Sequence, residues 1–252
     1  MIKHILTGLL LLLFSVEGIA QKAPKHRVKG RHQAFTVLLK KHVVNGKVDY
    51  EAFRNSREFE AYLKSLEQDT VFFSNRKPSK ESQIAFWINA YNAFTIHLIT
   101  KNTGIKSIMD IRPNAWREQF FTVAGKKMTL DEIEKTILIK ELGEDRVHFT
   151  CVCAAVSCPP LQSEAYEGFK LEAQLERAAR NFINDTLRNE IQIGSPKIKI
   201  AQIFNWYSAD FSKFGGVKSF LARYLDEPKR SWLLDGVKEI EYFGYDWSLN
   251  SK

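Results

Sequence analysis

The stretch Gln83 to Thr100 constrains the fold more than any other. Ile84, Ile88, Tyr91, Thr95 and Leu98 share one helical face, while Phe86, Trp87, Phe94, Ile96 and Ile99 cover most of the others. A helix that is apolar all round is a buried one, so the remaining elements must wrap it. Asn89 and Asn92, three residues apart, project from one side of this helix. Their amides need partners, because an unpaired buried polar group costs about 1–3 kcal/mol. Two destinations are open to them: the backbone of a packed loop, or a substrate carbonyl or catalytic imidazole that they would orient.

The flanking segments supply the wrapping. Phe35, Leu38, Leu39, His42 and Val43 fall at helical spacing, and Asn45-Gly46 breaks that helix before Val48-Asp49-Tyr50. Phe59, Tyr62, Leu63 and Leu66 form a second stripe within 58–67. Thr129-Leu130-Asp131-Glu132 reads as a capping box that opens a helix through Ile133, Ile137 and Leu138 and ends at Gly143. Further helices are predicted over 171–183 and 219–225. The β-branched run 146–156 predicts a strand, 191–200 with its Gly194-Ser195-Pro196 turn a hairpin, and 237–243 a closing strand. Helices dominate early and strands late. This order predicts an α+β single domain over 33–250, with a helix-rich N-terminal half and a small, mainly antiparallel sheet.

The N-terminus reads as an export signal over 1–20. Lys3 and His4 precede the apolar run 5–16, and Gly18-Ile19-Ala20 supplies a small-x-small cleavage pattern. Glu17 ends the run well short of the roughly 20 apolar residues of a membrane anchor. Residues 21–32 are basic and poor in apolar side chains, as in a flexible leader. A periplasmic or secreted, soluble product without a transmembrane anchor is therefore expected. The formal charge of +8 survives loss of Lys3 with Glu17, but the cations are dispersed and no nucleic-acid motif accompanies them.

All three cysteines fall within 151–158, close to His148. If 146–153 is a strand, His148 points away from Cys151 and Cys153, and the spacing matches no common zinc pattern. Neither a metal nor another cofactor is implied. Exported cysteines tend to pair. Cys151 and Cys153 would point side by side on a strand, whereas Cys153 and Cys158 close a small loop compatible with a bridge. Alternatively, Cys158 is a nucleophile presented by a loop, with His148 as its base in acyl transfer. Asn89, Asn92, Glu134 and Asp210 are candidates to orient the imidazole. Trp206, Tyr207 and Asp210 form a second cluster of the sort that lines sugar- or peptide-binding clefts, although such rings are also common core residues. The ending 245–250, aromatic and polar, reads as a docked tail.

Several of these blocks together resemble the domain of unknown function 547 family. They are Val48-Asp49-Tyr50, the run 86–93, Leu130 to Glu134, the segment from Arg146-Val147-His148-Phe149 to Cys158-Pro159-Pro160, the run 203–211, and the ending 245–250. In the family pattern Cys153 and Cys158 match the usual cysteines, the Cys151 position is aliphatic, and Lys135 stands where His is usual. The resemblance implies an exported bacterial member. Papain-like and transglutaminase-like folds offer an analogy that favours the Cys/His pair.

Two functions follow. The first is a thiol-dependent hydrolase or acyltransferase for an amide or peptide-like envelope substrate. There Cys158 attacks, His148 moves protons, and Asn89 or Asn92 polarises or orients. The second is a non-catalytic domain with a Cys153–Cys158 bridge, binding an envelope ligand or protein through Trp87, Tyr91, Trp206 and Tyr207.

Overall fold

A computed structural model describes residues 30–75, 77–236 and 239–252. The expected signal segment, and the leader up to residue 29, lie outside the described residues. Gly30 to His32 belong to the folded domain and not to a flexible leader. Arg31 pairs with Asp69, and the His32 N–H donates to Glu167 Oε1 at 2.9 Å.

Three helices lead to the central one. α1 (Gln33–His42) runs into the antiparallel pair β1 (Val43–Val44) and β2 (Lys47–Val48). The turn between these strands needs a glycine at its second position. Gly46 has φ +78°, and a Cβ there would lie 2.7 Å from Pro160 Cβ. α2 (Tyr50–Arg54) and α3 (Arg57–Gln68) begin where Asp49 and Ser56 accept from the Ala52 and Phe59 N–H groups. α4 (Lys80–Lys101) carries the all-round apolar stretch and is buried almost throughout from Ile84 to Thr100.

A hairpin of β3 (Phe121–Val123) and β4 (Lys126–Met128) follows. The capping box then forms as expected: the Glu132 N–H donates to Thr129 Oγ1, and Glu132 Oε2 accepts from the Thr129 N–H. It opens a π-helix, Glu132–Glu141, wider than the α-helix that the spacing suggests. The C-terminal part contains α5 (Leu171–Ile183), β5 (Lys197–Ile200), α6 (Ile203–Trp206), α7 (Val217–Ala222), α8 (Lys229–Leu234) and β6 (Glu239–Tyr242). The whole is a single-domain α+β fold in which helices predominate over small sheets. No described helix is long and apolar enough to cross a membrane.

The buried side chains form two clusters. One surrounds α4 and takes in α1 to α3 and the sulfur-bearing loop. The other packs α5, β5, α6 and α7 around Phe149, Phe204, Phe211 and Phe220. Val147 belongs to the first and Phe149 to the second, so His148 sits at the seam.

Two strand expectations are corrected. Residues 146–156 do not form a strand: a 3₁₀ turn, Asp145–Phe149, is followed by a loop in which Ala155 alone bridges to Leu249. The Asn92 side chain takes up the Thr150 C=O and the Val152 N–H, the groups a ladder would use. Ala154, with φ +64°, then turns the chain out of extended geometry. Tertiary bonding has overridden β propensity. The region 191–200 is not a regular hairpin either. Glu190 makes one antiparallel bridge to Lys199, while β5 pairs in parallel with β6, from Lys197 with Glu239 to Ile200 with Tyr242.

Candidate functional site

A cleft of about 800 Å³ opens along the seam between the two clusters. The π-helix contributes Glu134, Lys135 and Ile139, and the 3₁₀ turn contributes His148. The loop beyond it presents Cys151, Cys153, Cys158 and Pro159. α6 and the turn after it add Ile203, Trp206, Tyr207 and Asp210, the tail adds Tyr245 and Trp247, and Tyr91 reaches in from α4. Trp116, Arg117 and Asp131 complete the rim.

His148 is fixed on several sides. Its Nε2 lies 2.8 Å from Asp210 Oδ2, and its ring stacks on Tyr207 with centroids 3.9 Å apart. Nδ1 is buried without a hydrogen-bond partner, and Glu134 Oε1 lies 3.9 Å from it. The hydrogen bond from His148 holds the Asp210 carboxyl below its ordinary range. Burial does the reverse to Glu134, raising its affinity for a proton, although Tyr207 donates to Oε1 at 3.3 Å. Two carboxylates of one cleft are thus driven in opposite directions, the arrangement that separates an acid from a base.

The sulfurs form a second group. Cys153 Sγ and Cys158 Sγ are 2.8 Å apart and both are free thiols. The Cys153 N–H donates to Cys158 Sγ at 2.9 Å, and Tyr245 Oη lies 3.1 Å from Cys153 Sγ. The bond from Cys158 lowers the Cys153 thiol below its ordinary value, with help from Tyr245. Burial raises the Cys158 and Cys151 thiols well above theirs. Cys153 is also the partly exposed member of the pair, whereas Cys158 is 4% exposed. Cys153 is thus the more accessible sulfur of the pair.

The loop holding these thiols is stitched to the tail. The Val156 N–H donates to Ser248 C=O at 2.9 Å, the Ser157 N–H to Asp246 C=O at 3.2 Å, and the Asn250 N–H to Ala154 C=O at 2.9 Å. Asn250 also accepts from the Tyr50 hydroxyl, which ties the tail to α2.

His148, Cys158, Tyr91, Trp206, Tyr207 and Asp210, all marked by the sequence, meet at this cleft. Their expected pairing is not the observed one. Neither ring nitrogen of His148 bonds a sulfur, so the Cys158–His148 dyad is not formed. The strand parity that set His148 apart from Cys151 and Cys153 fails with the strand itself. Asn89 and Asn92 do not line the cleft. Asn89 exchanges two bonds with the Tyr166 backbone, and Asn92 bonds Thr150 and Val152. Both amides hold loops, the first of the two destinations open to them. Trp87 likewise does not line this cleft, being buried against Phe72 and Phe86. Among the described residues, no three His, Cys, Asp or Glu side chains are grouped to hold a metal ion.

Sequence reasoning missed part of the rim. Tyr245 was legible only as part of a docked tail, Asp131 only as part of a capping box, and Trp116 and Arg117 carried no local signal. Asp131 is shared by Arg117 at 3.1 Å and Lys135 at 2.9 Å, which leaves the rim beside it positive on balance.

No curated protein and no solved structure shows significant similarity to the chain. The family match covers α4, the π-helix, His148 and the sulfur-bearing loop, while Asp210 and Tyr245 lie beyond it. Residues 75–183 match the family described as protein of unknown function, DUF547.

Proposed function

We propose that the protein is an exported thiol-dependent enzyme that transfers or hydrolyses an acyl group of an amide or peptide-like envelope substrate, with Cys153 as nucleophile. One observation carries this reading. A partly exposed thiol, held toward its thiolate by a neighbouring thiol, opens on the cleft that also contains a buried carboxyl and a carboxylate-held imidazole. The export pattern over 1–20 supports the location.

In the acylation step Cys153 Sγ bonds to the carbonyl carbon, and the C–N bond breaks as the tetrahedral species collapses. Glu134, whose burial favours its protonated form, gives its proton to the departing amine. The His148 ring, held by Asp210 and stacked on Tyr207, stands beside the carboxylate that remains. Water then attacks the thioester, its proton passes to Glu134, and Cys153 leaves as thiolate. Asn92 acts at one remove, as a positioning residue that fixes the loop just before Cys153.

The test is a pre-steady-state burst with an activated ester, together with peptide-like chloroacetamide labelling of the reduced protein. The burst and the label are expected at Cys153 and should vanish in Cys153→Ser. Labelling no faster than that of a model thiol at neutral pH, with no burst, would sink the proposal. A non-catalytic ligand-binding role is the second reading. It is favoured by Trp206, which is 46% exposed and stacked on Trp247 with centroids 5.7 Å apart.

A further inference from the structure

We propose that Cys153 and Cys158 form a reversible dithiol–disulfide couple that exchanges with external disulfides, Cys153 attacking and Cys158 resolving. The couple shares Cys153 with the acyl-transfer reading but does not depend on it.

The geometry carries the inference. A disulfide needs its sulfurs about 2.05 Å apart, and these already stand at 2.8 Å. The gap left to close is under about 1 Å, and the backbone on both sides is held in place. Ala154, at φ +64°, sets the turn, the Cys158 N–H closes it on Ala155 C=O at 3.1 Å, and the tail secures Ala154 to Ser157. The two sulfurs are also unequal in the way exchange requires. Both line the cleft, but Cys153 is partly exposed whereas Cys158 is buried with its sulfur against that of Cys153. Cys151, buried and without a sulfur contact, stays outside the pair.

The steps balance. Cys153 thiolate attacks one sulfur of a substrate disulfide, a new S–S bond forms, and the other substrate sulfur leaves as thiolate and takes up a proton. Cys158 then loses its proton, with the Cys153 N–H positioned to stabilise the resulting charge. Its sulfur attacks Cys153 Sγ, the Cys153–Cys158 bond forms, and the second substrate thiol departs. Counted from the dithiol, whose Cys153 proton is lost when the thiolate forms, the protein has given up two electrons and two protons, and the substrate disulfide has become two thiols. A dithiol reverses the sequence. Oxidation would also remove the acyl-transfer nucleophile, which makes the couple a switch for that activity where both exist.

The experiment uses the full exported chain equilibrated in glutathione buffers of stepped oxidised-to-reduced ratio, quenched in acid and mapped by mass spectrometry. The wild type is expected to pass through one two-electron transition, bridging Cys153 to Cys158 with no lasting glutathione adduct. Cys151→Ser should behave in the same way. Cys158→Ser should trap glutathione on Cys153, at least about tenfold faster than Cys153→Ser traps it on Cys158. The inference is overturned if both thiols of the wild type stay free across the series. It is equally overturned by a bridge that excess dithiol cannot reduce in the native protein, or by equal trapping rates. The wild-type transition needs no variant, so a poorly folding mutant does not spoil the test. Ester bursts recorded on the same reduced samples separate the two proposals. Exchange without a burst fails acyl transfer alone, and a burst without exchange fails the couple alone.

Discussion

Two buried histidines, one at each side of the fold, have opposite surroundings. His32 lies where α1, α3 and α4 meet, its Nδ1 2.7 Å from Tyr62 Oη and its ring against Phe86. His148 lies at the cleft, with Asp210 at one ring nitrogen and Glu134 facing the other. Each has one buried nitrogen without a hydrogen-bond partner. Burial alone therefore does not set the two apart. The neighbours differ: burial and the Arg31 cation act against a charge on His32, whereas two carboxylates stand beside the His148 ring.

The largest effect should come from turning His32 into a cation. Burial, reinforced by Arg31, lowers its pKa from 6.5 to about 3. The unfolded chain then binds the proton more readily, so the contribution to stability falls as pH drops below 6.5 and levels off near 3. At about 1.4 kcal/mol per pH unit, the loss between neutral pH and pH 4 is a few kcal/mol. His32→Gln should flatten this part of the melting profile, measured as the difference between wild type and variant at each pH. An unchanged slope would remove the claim that the aromatic pocket keeps His32 neutral.

The next effect concerns the amides on α4. Asn92→Ala strands a buried C=O and N–H at Thr150 and Val152, a cost of about 3 kcal/mol. For a chain of this size that lowers Tm by about 6–12 °C. It should also loosen the segment before Cys153, so alkylation of Cys153 should change along with Tm. A melting shift with unaltered alkylation would separate the fold's anchor from the cleft and weaken the positioning role given to Asn92.

These two sites show how far the sequence could be read. Helices with clear stripes, such as 33–42 and 171–183, emerge close to their predicted bounds because their burial follows their own periodicity. The capping box at Thr129 was legible because all its partners lie within four residues. The segment 146–156 was not, because its conformation is set by Asn92 and by the tail near 248–250, both distant in the chain. The cleft's ingredients were legible as residue types clustered around 148–158 and 206–210. Which sulfur is open, and which carboxylate meets which ring nitrogen, depend on packing across the seam. His32 had no sequence signal at all, lying in what reads as a leader.

A smaller, pH-dependent effect belongs to Glu134. Its proton affinity is raised in the folded state, so its contribution is fully present below its ordinary value of 4.5 and is lost as pH rises through the raised one. Glu134→Gln removes that loss. The Tm of the variant relative to wild type should therefore climb as pH rises above 4.5, opposite in sign to the His32 substitution over the same window. Asp210, held low by His148, contributes in the other direction and loses its share as pH falls through its depressed value. A Glu134→Gln difference that stays constant with pH would mean the carboxyl is not the proton reservoir assigned to it.

The smallest effect on stability sharpens the contrast most. Trp206 is half exposed and stacks on Trp247 and Tyr245 at the cleft mouth, outside both buried clusters. Truncating it removes about half a ring's burial at the edge of the fold, so Trp206→Ala should cost about 1–2 kcal/mol, less than Asn92→Ala. The half of the ring left in water is open to contact from the cleft side. In the same variant, protection of Cys153 from alkylation by a peptide-like ligand should weaken while the unliganded alkylation rate stays the same. If instead Trp206→Ala melts as early as Asn92→Ala, the ring is a structural clamp on the tail, and the cleft loses its binding surface.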